Sequence, residues 1–188
     1  MSAAGYDWLL AGERPGEWLA QGCCLTYAPG IAPDALARTV GLAGLARVTF
    51  PDTIAAESSL CEVSSIALWP CDCGTIAFQP YGIWADVGEP LGTTVDSRVV
   101  VACWNVEMDN IFQMWDRGRL VLDYEAFEAG QPRVAADPSL VRALTEVGLT
   151  EDDDSVDFRT AYVDLAERLT GCVLRPEFLL QDLYVGNV

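Results

Sequence analysis

Hydrophobic and polar positions along this chain mark a β-rich middle and a helical end. Glu17–Gln21 closes a first helical stretch, and Cys23–Tyr27 (CCLTY) is a short apolar, β-prone run that predicts a strand. Pro29-Gly30 then turns the chain. Pro33 opens a helix with Leu36, Ala37 and Val40 on one face, Asp34 at its positive end and Gly41 as its stop. Residues 42–60 show no clear period, and Pro51 interrupts any long element there. Val63–Trp69 and Thr75–Gln79 predict two strands flanking a five-residue connection, Pro70-Cys71-Asp72-Cys73-Gly74. Pro80, Gly82 and Pro90 mark a loop around Tyr81 and Trp84. Arg98–Val106 is apolar almost throughout and rich in β-branched residues, as a central strand requires. Ile111–Trp115 and Arg119–Tyr124, joined by Asp116-Arg117-Gly118, complete a meander.

The period changes after residue 137. Pro138–Val147 reads as a helix stopped by Gly148. Ser155–Thr170 places Phe158, Tyr162, Leu165 and Leu169 on one helical face and Arg159, Asp164, Glu167 and Arg168 on the others, and Gly171 ends it. The order β-α-ββ-βββ-αα predicts an α+β domain. Its expected form is a single antiparallel sheet of about five to six strands, covered on one face by helices. One such domain spans residues 7–180, with 1–6 and 181–188 as terminal extensions.

Composition excludes much familiar chemistry. The 188 residues include no histidine, and all eleven basic residues are arginines. No Ser-His-Asp triad, Cys-His dyad, HExxH zinc site or phosphate-loop lysine can be assembled. No nucleotide fingerprint and no other cofactor motif is present, so no cofactor is expected and the reading leans away from an enzyme. Against the eleven arginines stand 28 carboxylates, giving a net charge of −17 spread along the whole chain. Such a surface repels nucleic acid and anionic membranes and attracts basic partners. No apolar run approaches a membrane span, and Met1–Tyr6 lacks the basic and apolar regions of a secretory signal. Cys23, Cys24, Cys61, Cys71, Cys73, Cys103 and Cys172 make an odd count, which with no export signal predicts reduced thiols in the cytoplasm.

Four stretches carry a resemblance. CCLTYAPGIAPDALARTVG looks like the opening of an actinobacterial family catalogued only as a domain of unknown function, whose members typically run YCxTFVRGLTPEEVLRRLG. TIAFQPYGIW resembles its TVVVEPNGW, ACWNVEMDNIFQMWDRGRLVLDYE is similar to its VYWNVNGxxRFxYAxDGxxLxxFE, and LAERLTGCVL to its LAExLTGVxL. The resemblance runs from Asp7 to Leu180 and implies no activity. Three polar family positions are replaced here, by Pro29, Gln79 and Ile111. Trp104, Asn105, Glu125 and the loop Pro80–Trp84 are retained.

Candidate chemistry follows from these residues. Tyr81, Trp84, Trp104, Asn105 and Glu125 could form an aromatic sheet face for a planar or sugar-like ligand, although aromatics on strands more often build cores. Asp123 and Glu125 could run acid/base hydrolysis without histidine. Cys71 and Cys73 could supply half of a zinc or copper site, although the usual spacing is CxxC and no second pair follows. Glu151–Asp154 with Asp157 lacks the glycine and final glutamate of a calcium loop and reads as helix-start acidity. The charge favours a cytoplasmic module that binds another, basic protein, as inhibitors and immunity-type proteins do. The alternative is a small-molecule binder or carboxylate-dependent enzyme at the aromatic face.

Overall fold

A computed structural model describes residues 6, 8, 22–49, 65–80, 88–105, 110–126, 131–150 and 156–187. Among the described residues nine strands make one sheet: β1 (Cys23–Pro29), β2 (Ala43–Thr49), β3 (Ser65–Cys71), β4 (Gly74–Pro80), β5 (Arg98–Trp104), β6 (Asn110–Asp116), β7 (Arg119–Tyr124), β8 (Val134–Ala135) and β9 (Asp182–Asn187). Their order is β2-β9-β3-β4-β1-β5-β6-β7-β8, with every pairing antiparallel. Four helices whose full extent lies within the described residues accompany the sheet: α1 (Pro33–Val40), α2 (Gly88–Thr94), α3 (Pro138–Glu146) and α4 (Phe158–Thr170). A 3-10 turn spans Pro176–Leu180.

The α+β class agrees with the pattern of the sequence; the expected sheet of five to six strands does not. Residues 182–187, expected within a terminal extension, form β9 and lie between β2 and β3. β2 falls in the stretch without a readable period, because its exposed residues and a register shift between Ala43 and Ala46 blur any alternation. β8 is two residues long, too short to leave a pattern.

The helices also cover both faces. Alternation along β1 and β5 sends Leu25, Tyr27, Val100, Ala102 and Trp104 into one apolar cluster with Leu140 and Leu144 of α3 and Ala161, Tyr162 and Leu165 of α4. It sends Cys24, Ala28, Val99, Val101 and Cys103 into a second cluster with Leu36 and Ala37 of α1 and Leu91 of α2. A strand apolar on both sides needs cover on both sides, which the near-continuous run at Arg98–Trp104 encodes. α2 has little helix propensity of its own (GEPLGTT). It packs so closely on Trp115 that a Cβ at Gly92 would come within 2.4 Å of the indole.

Cys24 and Cys103 face each other in the β1–β5 register and are joined as a disulfide, correcting the expectation of reduced thiols at these two positions. Directly opposed positions on neighbouring strands bring their Cβ atoms within reach of such a bond, a proximity visible only once the register is known.

The β3–β4 hairpin turns through Asp72 and Cys73 alone, with Cys71 paired to Gly74, rather than through a five-residue connection. Gly74 has φ +154, and a Cβ there would lie 2.3 Å from the Ala28 carbonyl oxygen and 2.9 Å from Pro29 Cα. Both obstacles are backbone of β1 and cannot swing away. Gly74→Ala is expected to destabilise the protein by about 2 kcal/mol or more. Urea unfolding monitored by tryptophan fluorescence measures this, and an unchanged midpoint would refute the close approach.

Candidate functional site

Three thiols meet where the β3–β4 hairpin touches the end of α4. Cys71 and Cys73 flank Asp72 at the hairpin turn. The tip is pinned from outside: Gly30 N–H donates to the Cys73 carbonyl (2.6 Å) and Thr75 Oγ1 to the Ile31 carbonyl (2.6 Å). Cys172 comes from the chain leaving α4. Gly171 caps that helix in the left-handed region (φ 74), with its N–H returning to the Glu167 carbonyl. The αL residue reverses the chain and turns Cys172 inward, where it is fully buried.

Glu167 fixes this exit. Its Oε1 accepts from Leu174 N–H (2.7 Å) and its Oε2 from the Tyr6 hydroxyl (2.7 Å). Burial pushes the Glu167 carboxyl up from its ordinary value, and the two donated bonds oppose that shift. Arg98 Nη1 donates to the Leu169 carbonyl (2.8 Å), satisfying a helix-end acceptor with a cation. On the helical period Glu167 reads as a solvent-facing charge. Its half-buried position arises from the chain folding back over it.

The Sγ atoms of Cys71, Cys73 and Cys172 all lie within 4.8 Å of one another. Cys73 Sγ also donates to the Gly171 carbonyl (2.7 Å), tying the hairpin to the helix exit directly. A hydrogen bond from Cys172 holds the Cys71 thiol down to about 6 from its ordinary 9.0, against burial and with help from the Cys73 and Gly74 amides. Cys172 is pushed up in turn, first by that hydrogen bond to Cys71 and then by burial. One sulfur of the pair thus carries the charge and the other the proton.

Beside the thiols opens a groove of about 470 Å³, lined by Cys71, Cys73, Val173, Arg175, Phe178 and Gln181 among others. Val173, 40% exposed, is the large exposed hydrophobic residue of the described part. Three sulfurs bound to one ion at about 2.3 Å would sit about 3.8 Å apart, so small side-chain movements close the cluster around a metal.

The aromatic positions are arranged differently. Trp104 is 2% exposed and belongs to the apolar cluster beneath α3 and α4. Asn105 is half-buried, its Cα lying 2.9 Å from where a Cβ on Gly22 would stand. Glu125 is paired with Arg133 (2.5 Å), and Asp123 accepts from Gln113 Nε2 (3.3 Å). Close by, the buried Asn110 Oδ1 accepts from Tyr162 OH (2.5 Å) and Ala126 N–H (2.6 Å), which locks the β6–β7 end onto α4. Tyr81, Trp84 and the acidic run 151–154 lie outside the described residues. Asp157 caps α4 through Arg159 N–H (2.9 Å), the role its position before a helix suggests.

The fold is that of an α+β protein with one antiparallel sheet, and three cysteine thiols cluster beside a surface groove. No helix among the described residues is long and apolar enough to cross a membrane. The chain belongs to a family of unknown function (DUF6461), whose model matches residues 75–187. That range holds Gly171, Cys172, β5 to β9 and β4 from Thr75 onward, whereas Cys71, Cys73, Gly74 and the CCLTYAPG stretch precede it. No curated protein and no solved structure matches the chain.

In metal-free protein, alkylation of Cys71 by iodoacetamide should rise with pH around a midpoint of about 6. Cys172→Ala should move that midpoint up towards 9.0 by removing the donor. Because folding lowers this thiol, its contribution to stability is full above the unfolded value and lost as pH falls through about 6. Peptide mapping by mass spectrometry follows the reaction; a midpoint that Cys172→Ala leaves in place would rule out the pairing.

Proposed function

We propose that this protein binds a thiophilic metal ion, Zn²⁺ first among them, through Cys71, Cys73 and Cys172. The observation that carries the reading is the convergence of three sulfurs within 4.8 Å from two segments about a hundred residues apart. Thiolates select soft and borderline ions, and a protein without histidine has sulfur as its only soft donor. The hairpin supplies two ligands on a turn whose position is set by β1, and Gly171 with Glu167 sets the third. Such prior ordering lowers the entropy cost of closing the site. A Zn²⁺ ion keeps tetrahedral coordination and accepts three protein ligands with a fourth from outside.

Zn²⁺ should load to one equivalent in elemental analysis. Cys172→Ala should lower affinity by about 100-fold or more in chelator competition, while Cys23→Ala, a buried thiol outside the cluster, should retain the ion. Wild-type protein that carries no metal, or a Cys172→Ala variant that binds as well, would end the proposal.

A second reading rests on charge: an acidic module that docks a basic protein, in the manner of an inhibitor or immunity protein. Arg38, Arg47, Arg133, Arg159 and Arg168 are each already paired with a nearby carboxylate, at 2.5–3.0 Å. They add little local positive surface, and the net −17 is left to act outward. Native mass spectrometry of gently purified protein should then show an added polypeptide whose occupancy falls as salt rises. A complex indifferent to ionic strength would count against steering by charge.

A further inference from the structure

The three-thiol cluster is one ligand short of a closed tetrahedral site. No fourth Cys, Asp or Glu donor joins the group among the described residues, although Asp72 stands between two of its members in sequence. Cys172 is fully buried, whereas Cys71 and Cys73 are half-buried and line the groove. An ion held by the three sulfurs is therefore backed by protein on the Cys172 side and faces the groove on the other. At about 470 Å³ the groove is far larger than the roughly 30 Å³ share of a water molecule and lies in the range of small-ligand pockets.

Its wall identifies the occupant. Pro70, Val173 and Phe178 supply apolar surface, Gln181 an amide, and Arg175 a cation whose guanidinium has no salt bridge within 4.0 Å among the described residues, although it acts on the Glu167 carboxylate from further off. Three thiolates around a divalent ion leave a net −1, and a fourth thiolate makes −2 in a chain already at −17. Such a ligand needs a cation near its far end. Asp72 lines the groove as well, so an anionic group is steered to the Arg175 side.

We infer, on the zinc reading given above, that the fourth coordination position faces this groove. It takes a low-molecular-weight thiol bearing a carboxylate, whose sulfur meets the metal and whose carboxylate meets Arg175. The incoming thiol binds as its thiolate, displaces water from the ion and releases its proton to buffer. Arginine's planar fork suits a carboxylate, and apolar Val173 and Phe178 accommodate the short carbon body between the two ends.

Cd²⁺-loaded protein tests this, because each thiolate adds to the ultraviolet sulfur-to-cadmium charge-transfer band. Metal content is measured on every sample, and only samples with one ion per chain are titrated. L-cysteine should raise the band by one further thiolate. Arg175→Gln should weaken L-cysteine binding by about tenfold, while binding of 2-mercaptoethanol, which lacks a carboxylate, should be the same in both proteins. A loaded protein whose band L-cysteine leaves unchanged has no position open to a thiol, and the inference falls while the metal site stands. Equal L-cysteine affinity with and without Arg175 overturns the recognition of the carboxylate. Failure to load any ion removes the zinc reading itself, and this inference with it.

Discussion

The rest of the structure depends on one constraint: strands β1 and β5 are buried on both faces. Their side chains alternate between two apolar clusters, and neither set can be left to water. Two layers of helix are therefore required. α3 and α4 take one face; α1 and α2 take the other, even though α2 is built from residues that disfavour helix. The sheet fixes where each helix runs, and the helix ends fix where polar chemistry can gather.

The thiol cluster is a consequence of that arrangement. α4 crosses beneath β1 and β5 and ends beside the tip of the β3–β4 hairpin. The hairpin tip is held close to β1 because Gly74 permits a backbone approach that no side chain would allow. Gly171 then reverses the chain, and Glu167 receives the Leu174 amide, so Cys172 is set down between two fixed walls. Each sulfur owes its place to a backbone feature of its own element. The coupled Cys71–Cys172 pair records how closely those elements meet.

Legibility in the sequence followed the strength of local signals. α1, with Pro33 in its first turn and Gly41 at φ 76, and the β6–β7 hairpin have punctuation as well as period, and both were readable. β9 (DLYVGN) and β2 (AGLARVT) carry glycine and lie towards one edge of the sheet; their strand character comes from pairing with each other, which no local window contains. α2 owes its helix to packing on Trp115, where tertiary fit overrides propensity. The site divides in the same way. Cys71 and Cys73 were visible as a pair because they are neighbours. Cys172 gave no local sign, since its partnership with them exists only after α4 has packed and the chain has turned at Gly171. Trp104 was correctly assigned to the side opposite Cys103, but alternation cannot say whether a face meets solvent or a helix, and here α4 covers it.

Charge links the two readings of function. A protein at −17 repels anions, and this bears on any site that concentrates thiolates. The cluster escapes that penalty in three ways. One of its thiols donates to another, so the empty site need not hold three negative charges at once. A bound divalent ion cancels two charges of the three. Arg175 lines the groove with no close salt bridge among the described residues, only a longer-range attraction to Glu167, while five other arginines are engaged with neighbouring carboxylates elsewhere on the surface. At a Debye length of about 8 Å in physiological salt, the acidic surface acts on approaching molecules mainly at close range. Within the groove the nearest charges therefore decide, and among the described lining residues those are the Cys71 thiolate, Asp72 and Arg175.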